Sequence, residues 1–452
     1  MKLRHHLIPD EVFTTLAAGN GGARAVGHLT AAQYSKHVLL VRGVVDRTRA
    51  IRHEQADRIR HAYDLLADIQ ERVPNVVESV LRHPSVGAWA RRTLQSLGDD
   101  ASRGSAEPLR LAALAAAAAI RSRTPCSVRV PAIDGVVMLP SVGRADVSPF
   151  TSPFTGEALL RSHRDGAEVI AGDSRVVVPA DPSLDAPGWH GLRSLSAIAG
   201  GKSVHLLIDD LDPYRMPAAR DLAARLTSRE VEAWQSVFHA AWEMLVRHHR
   251  ITAEEVRTAI RVLTPRVPPP SGQVSASSRE TFGCVALSAP LDAHMFAVTL
   301  THEVQHAKLA ALLDLVRLTR HDNGARFYAP WRDDPRPISG LLQGAYAYLG
   351  VTGFWRRQRG HEKGDAALYA HSEFARWRTA TDMVVETLLA SGLLTTAGQR
   401  FVAGIAGTLR AWHEEDIPSA ALVIARRKAE RHRTLWRLRH GDINQACGSP
   451  CP

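Results

Sequence analysis

Thr299-Leu-Thr-His-Glu-Val-Gln-His-Ala-Lys-Leu-Ala-Ala-Leu-Leu-Asp314 is the stretch on which the reading of this chain turns. It holds an H-E-x-x-H motif at His302, Glu303 and His306. On an α-helix, residues four apart lie one turn above each other on the same face. Both imidazoles can therefore reach one metal ion, with Glu303 close to its open side. Val298, Leu300, Leu309, Leu312, Leu313 and Leu315 wrap the motif in apolar side chains, and no Gly or Pro interrupts Ala297 to Arg320, so the stretch predicts a helix. Two imidazoles and a carboxylate are costly in such a setting without a partner, and a metal supplies one. Chance is the competing account, since the chain has 22 His. The apolar helical context of the single match weighs against chance. The motif leaves the metal and the reaction open.

The 452 residues suffice for two or three domains. A hydrophobic share of 45% with 23% charged residues is ordinary for a globular protein. The formal net charge is +10 and the pI about 9.8. Arg far outnumbers Lys and Ala is abundant, a compositional bias that accounts for the basic balance without nucleic acid. No dense Lys/Arg run interleaved with aromatics appears outside the C-terminal part, so nucleic-acid binding is not expected. An acidic peptide partner would suit the charge. Met1-Lys-Leu-Arg-His-His-Leu7 is basic but lacks a following apolar core, so no signal peptide is expected. The longest apolar run, Leu109 to Ile120, contains Arg110 and is too short to span a bilayer; it reads as a buried Ala-rich helix. The expected location is cytoplasmic, with no membrane partner. Cys126, Cys284, Cys447 and Cys451 form no C-x-x-C pair, which argues against a zinc ribbon or iron–sulfur site. Cys447 and Cys451 fall in a Gly/Pro-containing tail, expected to be flexible.

Helical periodicity dominates residues 1–125, with Pro74 and Pro84 as breaks, a capped helix from Asp10 and a loop at Gly19-Asn-Gly-Gly22. Residues 126–215 change texture. Short β-branched runs at 127–130, 135–139, 167–171, 175–178 and 203–208 predict a mainly antiparallel sheet. Asp209-Asp-Leu-Asp212 could bind a divalent cation, but a solvated turn is the favoured reading. Residues 216–440 return to helix, with a linker over 265–278 and a strand at Gly283–Ser288 whose edge could take an extended peptide. Residues 441–452 form the tail. The expected fold is α+β, mostly helical, with a central antiparallel region and a zincin-like H-E-x-x-H helix.

Two His need at least a third ligand. The x-x-G-x-x-H continuation is absent, and no Glu occurs between Lys308 and Gly360. The carboxylates of that span are Asp314, Asp322, Asp333 and Asp334; its one other His is His321. Gln343 is a weaker donor, and Glu362 and Glu373 lie further on. In the stiff loop Arg326–Pro337, Arg332 and Arg336 could fork onto a carboxylate, with salt bridges to Asp333 or Asp334 as the competing account.

Several segments in order carry a resemblance: Ser277-Ser-Arg-Glu-Thr-Phe-Gly-Cys-Val-Ala-Leu-Ser288, His302-Glu-Val-Gln-His-Ala-Lys-Leu309, Tyr328-Ala-Pro-Trp-Arg-Asp-Asp-Pro-Arg-Pro337 and Gly340-Leu-Leu-Gln-Gly-Ala-Tyr-Ala347. So do Leu7–Gly19, Glu373–Arg378 and Ser391–Gly398. Together they resemble the HEXXH-motif peptide-modification proteins encoded in gene clusters for ribosomally made, post-translationally modified peptides. The resemblance implies Fe(II)- and 2-oxoglutarate-dependent β-hydroxylation of a residue in a precursor peptide. It implies His302 and His306 as iron ligands, and a radical-SAM maturase from the same cluster as a further partner. Within that reading Arg332 or Arg336 would take the distal carboxylate of 2-oxoglutarate. Gln343 stands where relatives often carry His, which makes it the candidate third ligand. Glu303 is a candidate catalytic residue whose role the resemblance leaves open. The motif by itself equally admits a zinc peptidase with Glu303 as general base, or a non-catalytic peptide-binding partner.

Overall fold

A computed structural model describes residues 6–98, 107–147, 156–217, 219–270 and 272–441. Cys447 and Cys451 lie outside them. The chain opens on helices α1 (Asp10–Ala17), α2 (Gly22–Ala50), α3 (Ala56–Arg72), α4 (Pro74–Leu81), α5 (Pro84–Ser96) and α6 (Arg110–Ser122). Pro74 and Pro84 do not merely interrupt helix; each starts the next one, where its missing N–H is no loss. Helix α6 is the Ala-rich run, and every residue from Arg110 to Ile120 is buried. Small side chains let its neighbours close in on all sides.

Strands β1 (Cys126–Ala132), β4 (Gly156–His163), β5 (Gly166–Ala171) and β6 (Ser174–Val178) make a four-stranded antiparallel sheet in the order β1-β4-β5-β6. Strands β2 (Val136–Leu139), β3 (Gly143–Asp146) and β7 (Trp189–Gly191) make a smaller antiparallel one. These sheets share one core with α3–α6, built around Trp89, Trp189 and the α6 alanines.

A third sheet positions the motif helix. Its order is β11-β12-β10-β9-β8, from β8 (Arg193–Ala199), β9 (Lys202–Ile208), β10 (Val262–Pro265), β11 (Ser275–Ala276) and β12 (Cys284–Leu287). The inner pairs β9/β10 and β10/β12 are parallel, while β8 and β11 join antiparallel at the two edges. Parallel neighbours need long crossovers, and α7 (Ser228–His248) with α8 (Arg250–Ala259) supply one of them. The strand expected at 283–288 exists, but as an inner strand. The exposed edge is β11, inside the stretch read as linker.

Helices α9 (Ala293–Leu313), α10 (Ile338–Gln358), α11 (Gly364–Ala390), α12 (Thr396–His413) and α13 (Ser419–His440) complete a second core, which also takes in α1, the start of α2 and the third sheet. The protein is thus mixed α+β, with two antiparallel sheets as expected and a third sheet of mixed pairing. Among the described residues no helix is long and apolar enough to cross a membrane.

The Asp209–Asp212 turn departs from its favoured reading. It is not solvated: Asp209 and Asp212 are 0% exposed and Asp210 is 5% exposed. Burial is possible because each finds donors. Asp209 Oδ1 accepts the backbone N–H groups of Leu211 and Asp212, Asp210 accepts from Arg193 and Arg225, and Asp212 accepts from Ser85 and Arg110.

Candidate metal centre

Helix α9 starts at Asp292, whose side chain accepts the N–H of Met295, and runs unbroken through the motif. One face carries His302 and His306 to a cavity of about 430 Å³. The opposite face is pinned. Gln305 Nε2 donates to Gly19 O at 2.9 Å, and Lys308, fully buried, donates to Gly19 O at 3.1 Å and Glu255 Oε1 at 2.9 Å. The register of the imidazoles is therefore fixed from behind.

The two Nε2 atoms converge to 3.1 Å. With metal–nitrogen bonds of about 2.1 Å, that separation corresponds to roughly 95° at a shared ion. Burial and the neighbouring His306 push His302 down to about 4, so it is neutral and able to donate a lone pair at neutral pH. His306 Nδ1 meets Gln343 Oε1 at 3.1 Å. An amide oxygen there accepts Nδ1–H and leaves Nε2 bare, which is the tautomer a metal requires.

Close packing of α10 on α9 makes this contact. A Cβ on Gly350 would meet Gln305 at 2.6 Å, and one on Gly344 would meet the Trp331 ring at 2.3 Å. The bare backbone at Gly344 thus seats Trp331 on α10. Trp331 stacks on Tyr348 with centroids 4.6 Å apart, and Tyr348 presents its ring to His302 at 5.3 Å. Burial pushes the Tyr348 phenol up to about 12.

Glu303 is 1% exposed. Its Oε1 accepts from Ser275 Oγ on edge strand β11 at 2.6 Å, and its Oε2 is buried without a partner among the described residues. It is the one carboxylate among the described residues lining the cavity. Asp314 is taken by Lys36, Gln33 and Arg279, Asp322 by Arg326, and Asp333 by Arg439. Glu362 pairs with His294 and Glu373 with Lys428. Arg332 and Arg336 both line the cavity, and both reach Asp334, at 3.0 and 2.9 Å. The structure therefore brings together His302, Glu303, His306, Gln343, Arg332 and Arg336. Sequence reasoning missed Ser275, Trp331 as a wall, and Tyr348. Ser275 gave no signal, because it falls in a polar stretch whose pairing depends on distant β12.

The donor set fits a first-row divalent metal: two converging imidazoles, an orphaned buried carboxylate oxygen beside them, and room for exogenous ligands. No protein-family model matches this chain, and no curated protein matches it.

Proposed function

We propose that this chain is an Fe(II)- and 2-oxoglutarate-dependent enzyme that hydroxylates a β-carbon in a ribosomally made precursor peptide. The observation that carries the reading is the pair of Nε2 atoms 3.1 Å apart facing a cavity with Arg332 and Arg336 in its wall. Bound ferrous iron would supply the redox chemistry, in which dioxygen gives one atom to a peptide C–H and one to 2-oxoglutarate, releasing succinate and carbon dioxide.

The protein's own residues do the rest. His302 and His306 hold the ion, and Gln343 fixes the His306 ring. Its amide oxygen, on the Nδ1 side, serves the ring better than it could serve the ion. Arg332 and Arg336 offer guanidinium nitrogens to a carboxylate of the co-substrate, and Asp334 between them keeps both forks oriented. The aromatic wall of Trp331 and Tyr348 keeps water from that side. The peptide runs along β11, whose outer edge is unpaired among the described residues, by strand addition. Glu303, tethered to β11 through Ser275, couples the strand to the motif helix. The resemblance to the HEXXH peptide-modification proteins supports the same substrate class and a radical-SAM maturase as a co-acting partner.

One observation favours a second reading. The unpartnered Oε2 of Glu303 suits a zinc peptidase, in which that carboxylate would take a proton from metal-held water. Protein purified without oxygen, metal analysis, and a succinate-release assay with the precursor peptide separate the two. Iron, succinate and a peptide heavier by one oxygen support the oxygenase. Zinc and cleaved peptide support the peptidase. Peptide bound but unchanged, with no succinate, overturns both and leaves a binding role.

A further inference from the structure

A second group of metal-binding type lies away from the cavity, where His83, between α4 and α5, meets Asp209 and Asp212 beyond the end of β9. One ligand atom from each lies within 4.8 Å of the other two, and all three residues are buried. An acidic cluster alone would mean little, but the hydrogen bonds here settle where the protons are. Ser85 Oγ donates its single proton to Asp212 Oδ2 at 2.7 Å. At 2.9 Å from His83 Nδ1 it can therefore act only as acceptor, so Nδ1 carries hydrogen. In the neutral ring the lone pair is then on Nε2.

That lone pair faces Asp209 Oδ2 across 3.8 Å. Neither atom has a hydrogen-bond partner among the described residues, and the two side chains are 2% and 0% exposed. Asp209 cannot turn away, because its Oδ1 holds two backbone N–H groups. A proton spans N···O gaps of about 2.7–3.2 Å, not this one. An ion with bonds of about 2.1 Å spans 3.8 Å at an angle of roughly 130°. Arg110 compensates Asp212, reaching Oδ2 at 2.5 Å. Arg215 donates to the carbonyls of Asp212 and Ala223 and its Nε is buried without a partner, and among the described residues no guanidinium hydrogen-bonds Asp209 Oδ2. Among the described residues Asp212 Oδ1 accepts only the N–H of Tyr214, which leaves it a lone pair for an ion.

We propose that His83, Asp209 and Asp212 form a second metal site, structural in role, for a first-row divalent ion such as zinc or manganese. A mixed imidazole and carboxylate set suits these ions better than calcium, which takes oxygen alone, or copper(I), which takes sulfur. The ion would tie the start of α5 to the sheet that carries the motif helix. His83 also lines a cleft of about 740 Å³ on the side of the four-stranded sheet, which gives the ion a way in. The inference does not depend on the reaction proposed for the first site.

The test uses the full-length His302→Ala/His306→Ala chain, so the first site is out of play. After equilibration with zinc and desalting it should retain about one equivalent, and cobalt(II) should give ligand-field bands. Adding Asp209→Asn or His83→Gln should remove both signals. Because the cobalt titration leaves the cluster unaltered, it decides even if those variants fail to fold. No stoichiometric zinc or cobalt in the His302→Ala/His306→Ala chain overturns the proposal, and so does retention in a folded Asp209→Asn chain, which would mark adventitious binding. Failure of the first site reads out separately, as equal metal content in wild type and His302→Ala/His306→Ala.

Discussion

Lys308→Met should destabilise the protein strongly although it touches nothing in the cavity. Lys308 sits six residues past His302 on α9, 0% exposed at its side chain, facing Glu255 at 2%. Methionine fills nearly the same volume, so packing loss is small. What remains is a buried carboxylate with its cation removed. Glu255 Oε1 keeps one donor, the N–H of Gly22 at 3.1 Å. Breaking a buried pair from one side costs about 3–5 kcal/mol. The Gly19 carbonyl keeps Gln305 and adds little to the loss. Against total stabilities of about 5–15 kcal/mol, that is a large fraction. The assay is urea unfolding of wild type, Lys308→Met and Lys308→Met/Glu255→Gln. The double variant strands no charge and still accepts from Gly22, so it should recover at least half of the loss. Metal affinity should weaken in the single variant, since the pin behind the imidazoles is gone. A Lys308→Met loss below about 1 kcal/mol, or a double variant as unstable as the single, would refute the claim that charge pairing holds α9 in register.

Gln343→Ala should lower metal affinity by about 10–100-fold with little change in stability, because it frees the His306 ring rather than removing a ligand; competition with a chelator reads this out, and an unchanged affinity removes the orienting role. Arg332→Ala or Arg336→Ala should raise the concentration of 2-oxoglutarate needed for half-maximal turnover by about 10- to 100-fold, the worth of one charge-assisted hydrogen bond, with metal content unchanged. Equal co-substrate dependence in both variants would dismiss the carboxylate assignment. His37 and His249 are pushed down to about 4 by burial, from 6.5. The unfolded chain therefore binds protons below pH 6.5 that the folded chain refuses, so stability should be full above that pH and fall as pH drops toward 4. Unfolding midpoints between about pH 6.5 and pH 5, above most carboxylate titration, should show the decline; a flat profile contradicts it.

Local pattern made part of this architecture legible. The four-residue repeat of His302 and His306 within an apolar wrap has one helical reading, and α9 has it. The β-branched runs became β1, β2, β5, β6 and β9 because alternation and turn residues act over a few positions. Strands β8 and β4 were not read: their Arg, Ser and Gly content hides a pairing that neighbouring strands enforce. The Asp209–Asp212 turn shows the same limit from the other side. Acids in a row look solvated, and it takes distant donors to bury them: Ser85 and Arg110 reach Asp212, and Arg193 and Arg225 reach Asp210.

Chemical capability was written in the local order of residues: two imidazoles one turn apart, a carboxylate beside them, and arginines in a proline-stiffened loop. Tertiary structure alone decided what those groups meet. Gln343 faces Nδ1 of His306, the arginines share Asp334, and Glu303 leans on Ser275 of β11. Helical spacing is a property of a few consecutive residues, whereas these contacts join segments 28 to 37 positions apart or fix a loop against α10. Chain closure and packing set such distances, and no local pattern encodes them.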